Sequence, residues 1–406
     1  MTGATGSPSE GSAPFVHPEP ARALYVHVPF CRARCAFCDF PVVSGRTEHL
    51  HGPYVDALLQ ELELLFSLFP PDPSRPLRTL YVGGGTPSFL ARAEWERLAE
   101  GLERVAPGGL ASFEEWTVEL NPEDAEADLL RMLRSFGVTR VSIGVQSFDD
   151  ALLAALGRVH DAARAVHAVE LAAGLGFPHI SLDLMYGLPS QTISAWLRDV
   201  ERALDLPVDH ISAYALGVEP GTRFFGELRR GRIALPEDDV VAEMYERFAE
   251  RAQARGFRRY EVSNFARPGG ESRHNLAYWR YEPYYAAGLG AHGFLRGIRT
   301  ANSRHLHTYL RRLAPDSGPD LPWVEVRSIS RAEAMGEFAF LGLRLAEGVD
   351  FERFRRLFGV PFSDVFAPTL ARLTEAGVLS VRDGRAYVEE RWVYVQNTFL
   401  SDFLLA

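Results

Sequence analysis

Residues 23–40 read ALYVHVPFCRARCAFCDF. The opening Ala23–Val28 is a short apolar run of the kind that forms a buried strand. It leads straight into a loop holding Cys31, Cys35 and Cys38, and the chain has 3 cysteines in all. A disulfide scaffold would spread an even number along the sequence, so a reducing compartment fits better. The x3 and x2 spacing lets three thiolates converge on one site from a single loop. Structural zinc usually takes four ligands as two separated pairs, and no second pair exists. His27 is an awkward fourth ligand because it sits in the strand just before the loop. A cubane cluster usually takes four cysteines. Three leave one iron open for another molecule.

Outward from this stretch the same pattern recurs. Apolar runs at Thr79–Val82, Trp116–Leu120, Val141–Val145, Ile180–Met185 and Ile211–Leu216 alternate with amphipathic segments such as Tyr54–Leu68, Ala91–Val105 and Pro236–Arg255. Strands alternating with helices predict parallel βα units. Six units are too few for a closed eightfold barrel, so the expectation is an α/β fold with a partial (β/α)6 barrel. Unusual residues stand near the C-terminal ends of the runs: GGGTPS at Gly83–Ser88, Glu119 to Pro122, Gln146-Ser147, Asp183 and Tyr214. In βα barrels that end carries the chemistry.

The expected domains are a disordered tail at 1–20, a barrel at 21–265, an irregular connecting segment at 266–329 and a C-terminal domain at 330–406. In the last, helical patterning gives way to a hairpin around Asp383-Gly384 and a final helix near Val393–Leu405. That predicts a small winged-helix-like α+β domain. The net charge of −10 argues against non-specific nucleic-acid binding. No apolar run approaches the roughly 20 residues of a membrane span. The first 20 residues lack an apolar h-region and do not read as a signal peptide. A cytoplasmic protein with at most a peripheral membrane contact is expected.

CRARCAFC resembles the CxxxCxΦC signature of radical SAM enzymes, and GGGTPS resembles the glycine-rich motif after their second strand. The resemblance implies a [4Fe–4S] cluster on Cys31, Cys35 and Cys38, with S-adenosylmethionine (SAM) chelating the open iron and an electron donor to the cluster. The segments LYVHVPFC, YVDALLQELE, YVGGGTPS, VSIGVQSF, LMYGLPSQT and HISAYALGVEPGT are similar to the group around oxygen-independent coproporphyrinogen III dehydrogenase (HemN). By that similarity SAM contacts fall on Tyr25, Phe37, Gly84, Gly85, Thr86, Glu119, Gln146, Arg158 and Asp183. Glu119 or Asp183 would accept from ribose hydroxyls, Arg158 would pair with the SAM carboxylate, and Phe37 would flank the adenine.

Two features turn the resemblance away from the dehydrogenase. That enzyme has a further cysteine just after the third, where this chain has Asp39 and Phe40. His274 to Trp279 reads HNLAYW and matches the HNxxYW motif of the HemW family of heme chaperones. The implied function is heme binding and delivery to an acceptor protein. Radical SAM oxidation of a tetrapyrrole is the alternative, and a zinc-stabilised barrel is a third reading. A neutral imidazole is a good axial heme ligand, so His274 is the expected heme contact. Tyr278 and Trp279 would stack on the macrocycle and Arg273 would pair with a propionate. His292 and His305 are competing ligands.

Overall fold

The computed structural model describes residues 13–314, 318 and 320–405. The chain opens with β1 (Ala23–Val28), β2 (Phe30–Cys31), β3 (Val43–Ser44), α1 (Glu48–Leu68), β4 (Thr79–Gly84), α2 (Arg92–Val105), β5 (Glu115–Leu120), α3 (Ala127–Phe136) and β6 (Arg140–Gln146). It continues through α4 (Asp150–Leu156), α5 (Ala162–Gly174), β7 (His179–Tyr186), α6 (Ile193–Asp205), β8 (His210–Ala215), α7 (Arg223–Arg229), α8 (Asp238–Ala254), β9 (Arg258–Arg259) and β10 (Asn264–Ala266). Next come α9 (Arg273–Trp279), β11 (Tyr284–Ala287), β12 (His292–Leu295), β13 (Ile298–Asn302), α10 (Leu306–Arg312) and β14 (Trp323–Ser328). The last part holds α11 (Arg331–Gly342), β15 (Val349–Asp350), α12 (Phe351–Phe358), α13 (Phe362–Glu375), β16 (Leu379–Arg382), β17 (Arg385–Val388) and α14 (Asn397–Leu400).

The six expected strands are present as β1, β4, β5, β6, β7 and β8, and they pair in that order, all parallel. Their apolar side chains, Val26, Val82, Val118, Ile143 and Leu182 among them, are fully buried under the helices. Strands covered on both faces read as near-continuous apolar runs, which is why they were visible in the sequence. Helix α6 shows how the outer layer is seated. Its Thr192 cap accepts from Ala195 N, and Trp196 reaches inward to donate to Met244 O at 2.8 Å.

The expected irregular segment at 266–329 is ordered. Strand β11 pairs parallel with β1, and β12, β13 and β14 follow antiparallel, so one sheet of 12 strands runs β14-β13-β12-β11-β1-β4-β5-β6-β7-β8-β10-β9. The barrel sheet therefore extends to Ser328 and not to residue 265. These strands are four to six residues long and interrupted by Gly288, Gly290 and Gly297, which blurs their period. The part of the expected PDSGPDLP loop at 315–317 and 319 lies outside the described residues.

The expected disorder of residues 1–20 lies outside the described residues for 1–12 and does not hold for 13–20. Phe15 N donates to Ile329 O, Pro14 bridges Ser330, and His17 Nε2 bonds Tyr281 O at 3.1 Å. Phe15 and His17 are both buried. The composition is tail-like, but one phenyl ring and one imidazole find a groove made 250 or more residues downstream.

The C-terminal domain is helices α11 to α13 on a three-stranded sheet, β15-β17-β16, in place of the expected two-stranded wing. Its core is a phenylalanine cluster of Phe338, Phe354, Phe358, Phe362, Phe366 and Phe403. The final helix is shorter than expected: Asn397–Leu400 is helical, with 3-10 turns before and after it. Among the described residues, no helix is long and apolar enough to cross a membrane.

Candidate functional site

The cysteine loop leaves the C-terminal end of β1 and is clamped at both ends. Phe30 and Cys31 pair with Val43 and Ser44. Its middle is pinned by Ala36, whose N–H donates to Leu156 O and whose carbonyl accepts from Phe224 N. Below it Ala36, Leu152, Leu156, Met185, Leu188 and Phe224 form a separate apolar cluster. All three cysteines are free thiols. Thr86 Oγ1 donates to Cys31 Sγ at 3.4 Å, and Arg158 Nη1 donates to Cys35 Sγ at 3.3 Å. Burial pushes the Cys31 thiol up to about 12 and raises Cys38 as well. Among the described residues no group of three or more His, Cys, Asp or Glu is gathered closely enough to hold a single metal ion.

Opposite the loop is the glycine turn at the end of β4. Gly84 has φ +116°, and a Cβ there would stand 2.5 Å from the His27 ring. A Cβ on Gly85 would stand 2.7 Å from the carbonyl carbon of Pro29. Only glycine lets this turn lie flat against the base of the cysteine loop. Glu119, at the end of β5, accepts from Tyr81 Oη at 2.7 Å and from Gly84 N at 2.9 Å. Burial raises Glu119 to about 7 and Asp183 to about 6. Asp183 also accepts from Ser142 Oγ at 3.3 Å. Gln146 sits at φ 70°, where the β6–β7 register shifts. Such an outlier at a strand end re-aims a side chain, a device common at functional sites.

Phe37, Gly84, Gly85, Thr86, Glu119, Gln146, Arg158, Asp183 and the three cysteines all line one cavity of about 170 Å³. Tyr25 does not line it. Its hydroxyl bonds His27 Nδ1 at 3.0 Å, and its ring lies beside Tyr81. Asn121 belongs to the same cavity; the sequence marked it as part of a polar strand end but not as a SAM contact. Its Nδ2 donates to Thr86 Oγ1 at 2.9 Å, and its Oδ1 accepts from Arg158 Nη2 at 2.6 Å. Its place two residues after Glu119 was the available signal. Ser142, inside an apolar run, offered none. The loop is braced from behind: Tyr54 donates to His27 O at 2.6 Å and accepts from Leu289 N at 2.9 Å.

HNLAYW lies at the opposite end of the strands. His274 N, Arg273 N and Ser272 Oγ all donate to the Glu115 carboxylate at the start of β5, and Arg140 Nη2 donates to it at 3.3 Å. Glu115 and Arg140 are both buried, and this ion pair fastens α9 across the barrel floor. His274 is fully buried. Its Nδ1 bonds Thr79 Oγ1 at 2.9 Å and its Nε2 bonds Tyr278 Oη at 2.8 Å. Burial drops it to about 3, so the ring is neutral. Both nitrogens are engaged within the protein, and His274, the heme contact expected from the sequence, lines neither cavity. Arg273 faces outward and pairs with Glu114. His292 and His305 are exposed and line neither this cavity nor the next one. Tyr278 and Trp279 do face a cavity, a chamber of about 620 Å³ between the two arms of the open sheet, α9 and the C-terminal domain.

Residues 25–203 match the family model described as the radical SAM superfamily, and residues 329–391 match the HemN C-terminal domain. The heme chaperone HemW of Bacillus subtilis (strain 168) is 36% identical to this chain, over 94% of it and 99% of its own length. The heme chaperone HemW of Escherichia coli (strain K12) is 34% identical over 95% and 98%. Among solved structures, coproporphyrinogen III oxidase (HemN) from Escherichia coli, a radical SAM enzyme, superposes with a TM-score of 0.81 at 24% identity, covering 95% of this chain and 91% of that one. That likeness establishes the fold.

Proposed function

Because this chain belongs to the HemW family of heme chaperones, within the radical SAM superfamily, we infer that it binds heme and passes it to an acceptor protein, using a [4Fe–4S] cluster and SAM as cofactors. The observation that carries the reading is the cysteine loop. It presents three free thiols over a glycine turn, then Asp39 and Phe40 in place of a further cysteine.

The donor set suits the cluster. Cys31, Cys35 and Cys38 would each hold one iron, and iron coordination deprotonates thiols that burial alone keeps protonated. Thr86 and Arg158 already donate to two of the sulfurs, the kind of outer hydrogen bond that tunes cluster potential. Bound together, the cluster and SAM supply one-electron chemistry, with an external donor providing the electron. The remaining work belongs to the chain's own residues. Gly84 and Gly85 let backbone approach the methionine end of SAM. Arg158, fixed by Asn121 and by Gly144 O at 2.8 Å, offers its guanidinium to the carboxylate. Its Nε is buried without a partner within the protein. Glu119 and Asp183 would accept from hydroxyls, Gln146 lines the cavity from its bulge, and Phe37 would flank the adenine. Arg34 and Phe40 stand exposed at the mouth, where an electron donor would approach.

The test is anaerobic reconstitution followed by heme titration and transfer. A brown protein with iron and sulfide in near-equal amounts, a Soret band on adding heme, and transfer of that band to an apo-acceptor support the reading. Turnover of coproporphyrinogen III without heme binding would replace the chaperone with the oxidoreductase.

A further inference from the structure

The large chamber is built unlike the thiol-lined cavity. Tyr214 on β8 and Asn264 on β10 form one wall, Tyr284 on β11 and Arg299 on β13 form another, Trp279 comes from α9, and Arg344 comes from the C-terminal domain. Its 620 Å³ lies within the range of about 300–1,000 Å³ typical of cofactor pockets. Six of the fifteen lining residues are aromatic, which suits a flat conjugated ligand. Arg344 and Arg299 face the same space beside Glu261 and Glu282, with Arg299 already paired to Glu337 at 2.7 Å; guanidinium groups there suit carboxylates. Glu261 Oε2, Asn264 Oδ1 and Arg344 Nε are buried with no hydrogen-bond partner within the protein. Glu261 is fully buried and Asn264 is 3% exposed. The Tyr281 hydroxyl on the same lining is a fourth such group; buried polar groups are nearly always paired, so these orphans in one cavity point to a ligand that completes them.

The lining contains no His, Cys or Met. Tyrosine is the lining residue type that serves as an axial heme ligand elsewhere. Tyr278 is occupied by His274. Tyr281 is 2% exposed, whereas Tyr214, with Ser212 and Asn264 hydrogen-bonding beside its hydroxyl, keeps 41% of its surface open and lines the chamber.

Resting on the chaperone reading above, we propose that this chamber seats the heme, that Arg344 and Arg299 take its propionates, and that the Tyr214 phenol oxygen is the ligand to the ferric iron. Forming the iron–oxygen bond releases the phenolic proton, and the iron stays ferric. Glu261 lines the same chamber and is the carboxylate that would take that proton.

The experiment is heme titration of the full chain and of Tyr214→Phe, Arg344→Gln and His274→Asn, read by absorption and electron paramagnetic resonance. The wild type should show a high-spin ferric signal with a phenolate-to-iron charge-transfer band. Tyr214→Phe, which keeps the ring packing, should lose that band. Arg344→Gln should keep the band and bind about tenfold more weakly. The folded fraction of His274→Asn should keep the wild-type spectrum. A Tyr214→Phe spectrum identical to wild type refutes the ligand, and unchanged affinity in Arg344→Gln refutes the chamber. Heme that fails to bind the wild type at all overturns the chaperone reading itself.

Discussion

Replacing His274 with alanine should unfold the barrel floor before it affects any ligand. The imidazole is fully buried and bridges Thr79 on β4 to Tyr278 on α9. Alanine leaves the buried Thr79 hydroxyl without that partner, at about 1–3 kcal/mol, while the half-buried Tyr278 hydroxyl can turn to the chamber. That is a sizeable part of the roughly 5–15 kcal/mol that typically holds a domain together, before the cavity is counted. Denaturant unfolding followed by circular dichroism should show a lower midpoint with an unchanged slope. The ring is also acid-sensitive. It titrates near 6.5 when unfolded and near 3 when folded. Between those values the unfolded chain binds the extra proton, so this group's stabilisation is complete above about pH 6.5 and is lost as pH falls toward 3, by up to ~1.4 kcal/mol per pH unit. His274→Gln should remove that dependence. An alanine variant as stable as the parent, with an altered heme spectrum, would refute this account and restore His274 as a ligand.

Three further outcomes follow from the same geometry. Gly85→Ala forces a methyl group to within 2.7 Å of the Pro29 carbonyl carbon, and backbone cannot step aside cheaply; reconstituted iron and sulfide should fall well below wild type, and full loading would show that the loop is pliable. Because burial holds Glu119 near 7, SAM affinity measured by equilibrium binding should be flat above that pH and weaken by up to about tenfold per unit below it; a slope that survives in Glu119→Gln assigns the effect elsewhere. Phe362→Ala removes a ring packed against Phe351, Phe354 and Phe366 and should destabilise the C-terminal domain by about 3–5 kcal/mol, seen as faster proteolysis there; a loss under about 1 kcal/mol would contradict the packing.

The parallel core was legible because burial on both faces leaves one kind of signal, a short apolar run with polar residues at its end. The thiol loop was legible because few chemistries want three cysteines within eight residues. Strands β11 to β14 were not, because their turns carry glycines and their exposed edge, such as Val324 and Val326 on β14, reverses the usual pattern. HNLAYW was only partly legible. A buried histidine in a dense motif reads as a ligand, yet its partners Thr79 and Glu115 lie at least 159 residues away in sequence and have no local signature. Tyr214 was noticed as one of several polar strand ends, and only the closing of α9 and α11 around it gave it a chamber to face.

Strand β1 sits between β4 and β11, and His17 meets Tyr281 264 residues later. At about 5–20 residues per second of synthesis, that separation leaves one edge of β1 bare for roughly 13–50 s on the ribosome. The Leu289 amide that meets the Tyr54 brace behind the cysteine loop arrives in the same late stretch. The loop that would hold the metal is among the first parts made and among the last secured. A cluster delivered during synthesis would meet three cysteines on an unbraced loop, and one delivered after release would meet a finished cradle.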